Sequence, residues 1–172
     1  MASILRRPLD LLIIVFFIFF VLIAWTIDFT QSLYGSVLAL EDIDEWIWPP
    51  AIVLKYYAWW CETYDPLVAH NPMWYETMAW FSPFLYTPFY ICAIYAFIYE
   101  KEWIRIPALL WAYGLLLTMF VVVREQLMGE HATPNVPIFF AAYSTYIIVP
   151  ALVMLRVARA PVFSSGAKNK RD

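Results

Sequence analysis

The sequence predicts an all-α membrane protein: a four-transmembrane-helix bundle with proline-kinked helices 2 and 4 and a luminal interfacial segment. Hydrophobic residues make up 63% of the chain, whereas a soluble domain has about 45–50%. These residues fall into four long blocks, and the mean hydropathy is +0.66. The positive charges gather at the chain ends and in one short turn, as expected for an even number of spans.

Each block is long enough to cross the hydrocarbon core as a helix. The first, Leu11–Ile27, is too long for the core of a signal peptide and lacks a small-residue cleavage site, so we expect it to be retained. With no Gly/Ser-rich linker, residues 1–172 are predicted to form a single polytopic domain. The helices are expected at about 9–33, 73–99, 104–124 and 137–157, followed by a basic cytosolic tail at 158–172.

The second block is an unusual spanning segment because Pro83 and Pro88 lie inside it. Each proline removes one backbone donor and crowds the carbonyl four residues earlier. Carbonyls freed at membrane depth need hydroxyls, water or neighbouring helices as partners. Ser82 and Tyr86 share one helix face beside the prolines, which favours one wall of an aromatic-lined cavity. A kinked packing helix whose hydroxyls bond its own carbonyls is the alternative interpretation.

The long first loop, Gly35–Asn71, is acidic near its start and rich in Trp and Tyr afterwards. Because Trp and Tyr prefer the membrane–water boundary, Ala51–Trp60 is predicted to be a short helix at that interface. A lid packed on the bundle is equally consistent with this composition.

The positive charges predict the orientation of the chain. Nine of the eleven Lys and Arg residues lie at the termini or in the turn Glu100–Arg105. The other two loops carry only Lys55 and Arg124. The positive-inside rule therefore places both termini in the cytosol.

The chain ends with Lys168 and Lys170 at the fifth and third positions from the C-terminus. Membrane proteins with this K-x-K-x-x pattern on a cytosolic tail are typically recognised by coat proteins and returned to the endoplasmic reticulum. We therefore expect the protein to reside in the endoplasmic reticulum membrane. The alternative interpretation is that the tail is basic by chance and carries no retrieval signal. An organellar inner membrane, in which the protein is part of a complex, is the other location that we consider.

Several function classes are not expected. No basic stripe indicates nucleic acid. The two cysteines, Cys61 and Cys92, do not suggest a disulfide framework. His131 has no second ligand at metal spacing, so no metal site is predicted. There is no glycine-rich phosphate loop or catalytic triad, and we expect no cofactor.

Asp28 is the sharpest candidate for function. A carboxylate in or beside a spanning helix is costly and by default marks a functional site, where a proton or a cationic ligand would satisfy it. A helix that begins at Asp10 reaches Asp28 after about 27 Å, near the far edge of the hydrocarbon. An interfacial aspartate at the helix end is therefore an equally good interpretation.

A series of motifs in order makes the chain resemble the sigma-2 receptor branch of the EXPERA superfamily, which also contains the emopamil-binding sterol Δ8–Δ7 isomerase. The resemblance covers about residues 10–160 and implies a four-helix protein of the endoplasmic reticulum with a sterol-sized cavity that accepts hydrophobic amines. We expect Asp28, Ser82, Tyr86, Tyr143 and Tyr146 to line this cavity. The motifs are Asp28, Tyr57-Ala58, Asp65-Pro66-Leu67, Pro72-x-Trp74, Pro88-Phe89, Tyr95-Ala96-Phe97, Trp103-Ile104-Arg105-x-Pro107-Ala108 and Tyr143-x-x-Tyr146-x-x-x-Pro150.

One departure from the family pattern bears on activity. The resemblance implies a carboxylate on the first helix, matched by Asp28, and a glutamate in the middle of the second, where this chain has Ser82. Glu76 lies six residues earlier, about 9 Å along the helix, and does not replace it. Moving a sterol double bond needs a proton donor, a base and an anionic group beside the carbocation. That machinery is incomplete here.

The sequence thus predicts a sterol- or lipid-binding membrane protein without isomerase activity. A structural accessory subunit of a larger membrane assembly is one alternative. A sterol isomerase that uses Asp28 as its catalytic carboxylate is the other. The expected partners are a sterol or other lipid and the membrane itself, with a homodimer or a larger complex left open.

Overall fold

The computed structural model describes residues 4–163 of the chain, and within that range the chain forms helices and turns but no strand. Four helices are long and apolar enough to span a membrane. Two shorter helices lie between the first and the second of these spans. In chain order the six are α1 (Pro8–Tyr34), α2 (Ala51–Tyr64), α3 (Pro66–His70), α4 (Met73–Ile98), α5 (Glu102–Met128) and α6 (Val136–Val157).

The third spanning helix, α5, is longer than the sequence predicted. The helix was expected to end at about residue 124, but it continues through Glu125 and ends at Met128, before Gly129. No helix-breaking residue precedes Gly129 in this region, so the helix has no reason to end earlier. The next helix begins where Asn135 accepts a hydrogen bond from the Ile138 amide at 3.2 Å, the usual role of an N-cap asparagine.

The prolines of α4 produce a local change of helix type. Residues Ser82–Tyr86 form a π-helical turn, and the amide of Thr87 donates to the carbonyl of Ser82, five residues earlier. The Thr87 hydroxyl donates to the same carbonyl at 3.1 Å. The helix is therefore not broken at this point. It resumes its α-helical form at Thr87 and continues to Ile98. Pro150, in contrast, lies within α6, and the chain stays α-helical on both sides of it.

A second π-helical turn, Ala24–Asp28, lies in α1, where no proline or glycine signals it. It packs against the π-helical turn of α4. Such turns insert one extra residue into a helix and are frequent at functional sites. The fold therefore brings its two most irregular spanning segments together at one level of the bundle.

The bundle is held by pairs of long helices, α1 along the second half of α4 and α5 along α6. Phe17 of α1 is fully buried at the centre of the aromatic core. Its ring contacts those of Tyr90, Phe97 and Trp111 at centroid distances of 5.5, 6.2 and 5.3 Å. Edge-to-face and offset pairs of this kind add to the stabilisation from area burial alone.

The chain ends are joined by a buried charge cluster. Asp10 is 1% exposed. Its carboxylate accepts hydrogen bonds from the guanidinium of Arg7 at 3.0 Å and from that of Arg156 at 2.6 and 3.0 Å. Both guanidiniums also lie over the ring of Phe163, at 5.7 and 5.2 Å from its centre. The start of α1 is thus tied to the end of α6 and to the residues that follow it.

We expect Asp10→Ala to lower the free energy of unfolding by about 3–5 kcal/mol, because it removes the carboxylate that two partly buried guanidiniums share. Among the described residues, Arg156 then has no carboxylate partner, and Arg7 keeps only Glu100, at 3.7 Å. Asp44→Ala is the matched control. Asp44 pairs with Lys55, but the two side chains are 79% and 55% exposed, so its loss should cost below about 1 kcal/mol. Unfolding of the two variants in detergent micelles measures the difference, and equal destabilisation would contradict the structural role of Asp10.

Candidate ligand-binding cavity

A cavity of about 750 Å³ lies between the spanning helices and beneath α2. Pockets for small molecules range over roughly 300–1,000 Å³ and are mostly apolar. Aliphatic and aromatic side chains from α1, α2, α4, α5 and α6 make up most of its wall. Seven tyrosines contribute: Tyr56, Tyr57, Tyr75, Tyr86, Tyr90, Tyr143 and Tyr146.

Asp28 is the only acidic or basic side chain on this wall among the described residues. It belongs to the π-helical turn of α1, and the helix continues for six more residues to Tyr34. Asp28 therefore lies six residues before the end of the helix, and its position relative to the membrane interface stays a prediction. The Ser82 hydroxyl lies beside its carboxylate, because the two π-helical turns pack against each other.

All five side chains that the sequence singled out line the cavity: Asp28, Ser82, Tyr86, Tyr143 and Tyr146. Their contact with a ligand remains a prediction. The hydroxyl of Tyr143 donates to Asp65 and is occupied within the wall, so this residue offers its ring to the cavity. Tyr146 stacks on Phe20 with ring centres 5.1 Å apart.

The helix α2 packs on the bundle over the cavity. Its contacts agree with the interpretation of this segment as a lid. Leu54 is fully buried and Tyr57 is 9% exposed, both facing inward. Ile52 and Tyr56 line the cavity and are nevertheless 77% and 66% exposed. These two residues, four apart on one helix face, form part of the rim.

A buried amide cluster fixes α2 to the first span and to Asn71, the residue that follows α3. Gln31 of α1 is 2% exposed. It accepts a hydrogen bond from the Tyr57 hydroxyl at 3.0 Å and donates to the side-chain oxygen of Asn71 at 2.7 Å. Each member satisfies another, as buried polar groups must.

A second buried cluster is centred on Asp65, between α2 and α3. Its carboxylate is 1% exposed and accepts hydrogen bonds from the Val68 amide, the Gln126 amide group and the Tyr143 hydroxyl. Burial raises the pKa of Asp65 above its usual value, and the hydrogen bonds from Tyr143, Val68 and Gln126 act in the opposite direction. Asp65 is also the N-cap of α3 and precedes Pro66, a favoured first helical residue.

The sequence did not predict these two clusters. It contained one signal, since an aspartate before a proline is typical of a capped helix start. Nothing in the order of residues indicated that the same carboxylate would meet Gln126 and Tyr143, which follow 61 and 78 positions later.

Two titratable side chains of α2 are buried: Tyr57, which lines the cavity, and Cys61, which does not. Burial raises the pKa of the Cys61 thiol to about 12 and that of the Tyr57 hydroxyl well above its usual value. Both groups stay protonated near neutral pH, so neither serves as a base or an anionic nucleophile. Within residues 4–163, no three His, Cys, Asp or Glu side chains are grouped closely enough to hold a metal ion.

Comparison with known proteins agrees with this architecture. The family model described as EXPERA, the expanded EBP superfamily, matches residues 49–157. The sigma intracellular receptor 2 of Xenopus tropicalis is 26% identical over 165 residues, covering 87% of this chain and 96% of that protein. The receptors of the same name from Macaca fascicularis and Homo sapiens are each 23% identical over 137 residues, covering 69% of this chain and 74% of theirs.

The helical bundle with its covered cavity is that of a four-span membrane protein, and the chain belongs to the EXPERA superfamily. The matched residues run from just before α2 to the end of α6, so they include the lid and three of the four spans. Within the superfamily, the similarities to sigma intracellular receptor 2 support the sigma-2 branch. The resemblance inferred from the motifs is confirmed.

Asp65 provides a test of how the lid is held. Asp65→Ala leaves three donors unpaired in the interior, each costing about 1–3 kcal/mol. Asp65→Asn should be milder, because the Asn oxygen still accepts from Val68 and Gln126 while its NH₂ group donates to the Tyr143 oxygen. Limited proteolysis of the segment 36–71 and thermal unfolding should both rank wild type, Asn and Ala in that order. Equal loss in the two variants would show that the negative charge, rather than the hydrogen bonds, is required.

Proposed function

We propose that the cavity binds a sterol or another lipid of similar size without converting it chemically. The observation that carries this proposal is the carboxylate of Asp28 on a wall of aliphatic and aromatic side chains that borders a partly open space of about 750 Å³. Among the described residues this wall carries no other charged side chain. A rigid apolar molecule with one polar end suits such a site. The similarity to sigma intracellular receptor 2 is consistent with a ligand-binding protein.

The same wall argues against isomerase activity. Double-bond migration needs an acid and a base on opposite sides of the substrate, with pKa values matched to each task. The group beside Asp28 is the hydroxyl of Ser82, which is a poor acid and a poor base near neutral pH. Asp65 does not line the cavity, and its carboxylate already accepts hydrogen bonds from three donors.

Asp28 gives the site a second specificity, for lipophilic cations. A protonated amine on an apolar body would place its charge against this carboxylate, where the surrounding apolar wall limits screening by water. Neutral sterols would instead use the aromatic faces and a hydrogen bond to one of the polar groups. The two ligand classes therefore depend on Asp28 to different degrees.

Asp28→Asn should weaken binding of a hydrophobic tertiary amine roughly tenfold to a thousandfold, at about 1.4 kcal/mol per factor of ten. Binding of a neutral sterol should change little. Ser82→Glu should strengthen amine binding, because it places a second carboxylate beside the first. Titration of the purified variants with a radiolabelled amine and a radiolabelled sterol measures both effects.

Glu76→Gln is the matched control, because it removes a carboxylate from the same helix as Ser82 at a position that does not line the cavity. It should bind both ligands as the wild type does. If Asp28→Asn and wild type bind the amine equally, Asp28 is not a ligand contact. If neither ligand binds the wild type, an accessory subunit of a larger membrane assembly becomes the better proposal. Sterol conversion by the purified wild type would instead favour an isomerase.

We also propose that the protein resides in the endoplasmic reticulum membrane, with both termini in the cytosol and the lid in the lumen. The distribution of Lys and Arg supports this orientation. The retrieval signal at Lys168 and Lys170 falls outside the described residues.

Replacing Lys168 and Lys170 together by Ser should move the protein forward from the endoplasmic reticulum, because coat proteins would no longer recognise its tail. Arg171→Ser keeps the K-x-K-x-x spacing and removes one positive charge from the same tail, so it should remain in place. Fluorescence microscopy alongside organelle markers compares the three forms. An unchanged distribution of the double variant would refute the retrieval signal.

A further inference from the structure

The two histidines of this chain are brought together at the edge of the lid. His70 is the last residue of α3, and His131 lies in the loop between α5 and α6. Their ring centres are 5.0 Å apart, and the ring planes are inclined by 55°. The chain contains two histidines in total, so this pair accounts for both.

Each ring is oriented through the same nitrogen. Nδ1 of His70 is 2.8 Å from the carbonyl oxygen of Pro66, and Nδ1 of His131 is 2.9 Å from a carboxylate oxygen of Glu125. Carbonyl and carboxylate oxygens only accept hydrogen bonds, so in both rings Nδ1 carries the proton. In the neutral imidazoles the lone pair therefore resides on Nε2. Histidines that bind metals have this arrangement, with the second nitrogen held by a carboxylate or a backbone carbonyl.

The carboxylate that orients His131 is itself held in place by the local backbone. Glu125 also accepts a hydrogen bond from the main-chain amide of His131 at 3.1 Å. Its side chain folds back over Gly129 so closely that a Cβ at that position would lie 2.1 Å from a carboxylate oxygen. A side chain at position 129 would therefore displace the carboxylate of Glu125 from its present position.

We propose that His70 and His131 bind one divalent transition-metal ion, Zn²⁺ or Cu²⁺, through their two Nε2 atoms. Two imidazoles on one tetrahedral ion, at Zn–N distances of about 2.0–2.1 Å, have ring centres roughly 5 Å apart, as observed here. His70 is exposed, so the ion reaches the site from solvent. Since residues 4–163 supply no third ligand to the pair, water completes the coordination.

The bound ion would join two segments that already support the lid. His70 lies five residues after Asp65. His131 lies five residues after Gln126, which donates a hydrogen bond to Asp65. Thr133 adds a hydrogen bond from its hydroxyl to the carbonyl of Tyr64 at 2.8 Å. An ion at the histidine pair would therefore clamp the end of α3 to the loop after α5. The proposal does not depend on which ligand occupies the cavity.

The test uses the full chain purified in detergent through a tag that lacks histidine. Equilibrium dialysis against Zn²⁺ should give one ion per chain, and His70→Gln and His131→Gln should each lower the affinity at least about tenfold. Electron paramagnetic resonance of the Cu²⁺ form should show two imidazole nitrogens in the wild type and one in either variant. Glu125→Ala should weaken Zn²⁺ binding by about 10- to 100-fold, because it releases the His131 ring.

Glu130→Gln is the matched control, since it removes an exposed carboxylate next to His131 in the same loop and should leave Zn²⁺ binding unchanged. Thermal unfolding without metal checks that the histidine variants are folded. Addition of Zn²⁺ should raise the melting temperature of the wild type and of Glu130→Gln but not of the histidine variants. Zn²⁺ binding that persists in the His70→Gln, His131→Gln double variant, or that is absent from the folded wild type, would overturn the proposal.

Discussion

The lid over the cavity depends on the hydrogen bonds that the carboxylate of Asp65 accepts. The helices α2 and α3 have 14 and 5 residues, lengths that are marginal at best for isolated helices in water. Asp65 lies where they meet and joins both to α5 and α6 through Gln126 and Tyr143. Without these bonds, the donors around it would be buried without partners, at a cost comparable to a large part of the stability of a domain.

The shape of the cavity depends on a second feature, the paired π-helical turns of α1 and α4. An inserted residue changes which side chains face inward after the turn. In α1 this places Asp28 on the cavity wall with the helix continuing beyond it. In α4 the turn accommodates Pro83, and the hydroxyl and amide of Thr87 satisfy a carbonyl that the proline region would otherwise leave free. Irregular backbone is thus placed where it borders a cavity, as the lack of water in a bilayer requires.

The parts of the fold that could be predicted from sequence are those with a periodic or local signal. The four spans followed from hydrophobic length, and the irregularity in α4 followed from Pro83 and Pro88. The π-helical turn at Ala24–Asp28 carries no such signal, because its residues are ordinary helix formers and the turn depends on packing against α4. The end of α5 was predicted too early, since Arg124 and Glu125 were interpreted as the end of the helix although charged residues continue a helix readily.

Candidate site residues show the same division. Asp28 and Ser82 could be found because a carboxylate in a span and a hydroxyl beside a proline are unusual locally. Their proximity depends on tertiary packing and followed only from the family pattern. Pairings between distant residues, such as His70 with His131 or Asp65 with Gln126, have no local signature at all. Such contacts are set by how α3 and the α5–α6 loop meet, which no window of the sequence contains.

The carboxylates of Asp10, Asp65 and Glu100 are buried and all have partners within the fold. The half-buried carboxylate of Asp28 is compensated less fully, and this difference supports the proposal that Asp28 contacts a ligand. Asp10 faces two guanidiniums, and Asp65 accepts bonds from three donors. Asp28 has the Ser82 hydroxyl beside it, and among the described residues no basic side chain lines the same cavity. A buried carboxylate that lacks a cation is destabilising unless a proton or a ligand supplies the positive charge. Among the described residues, Asp28 is the carboxylate that borders the space of about 750 Å³, which is why we propose that a bound cation offsets this destabilisation there.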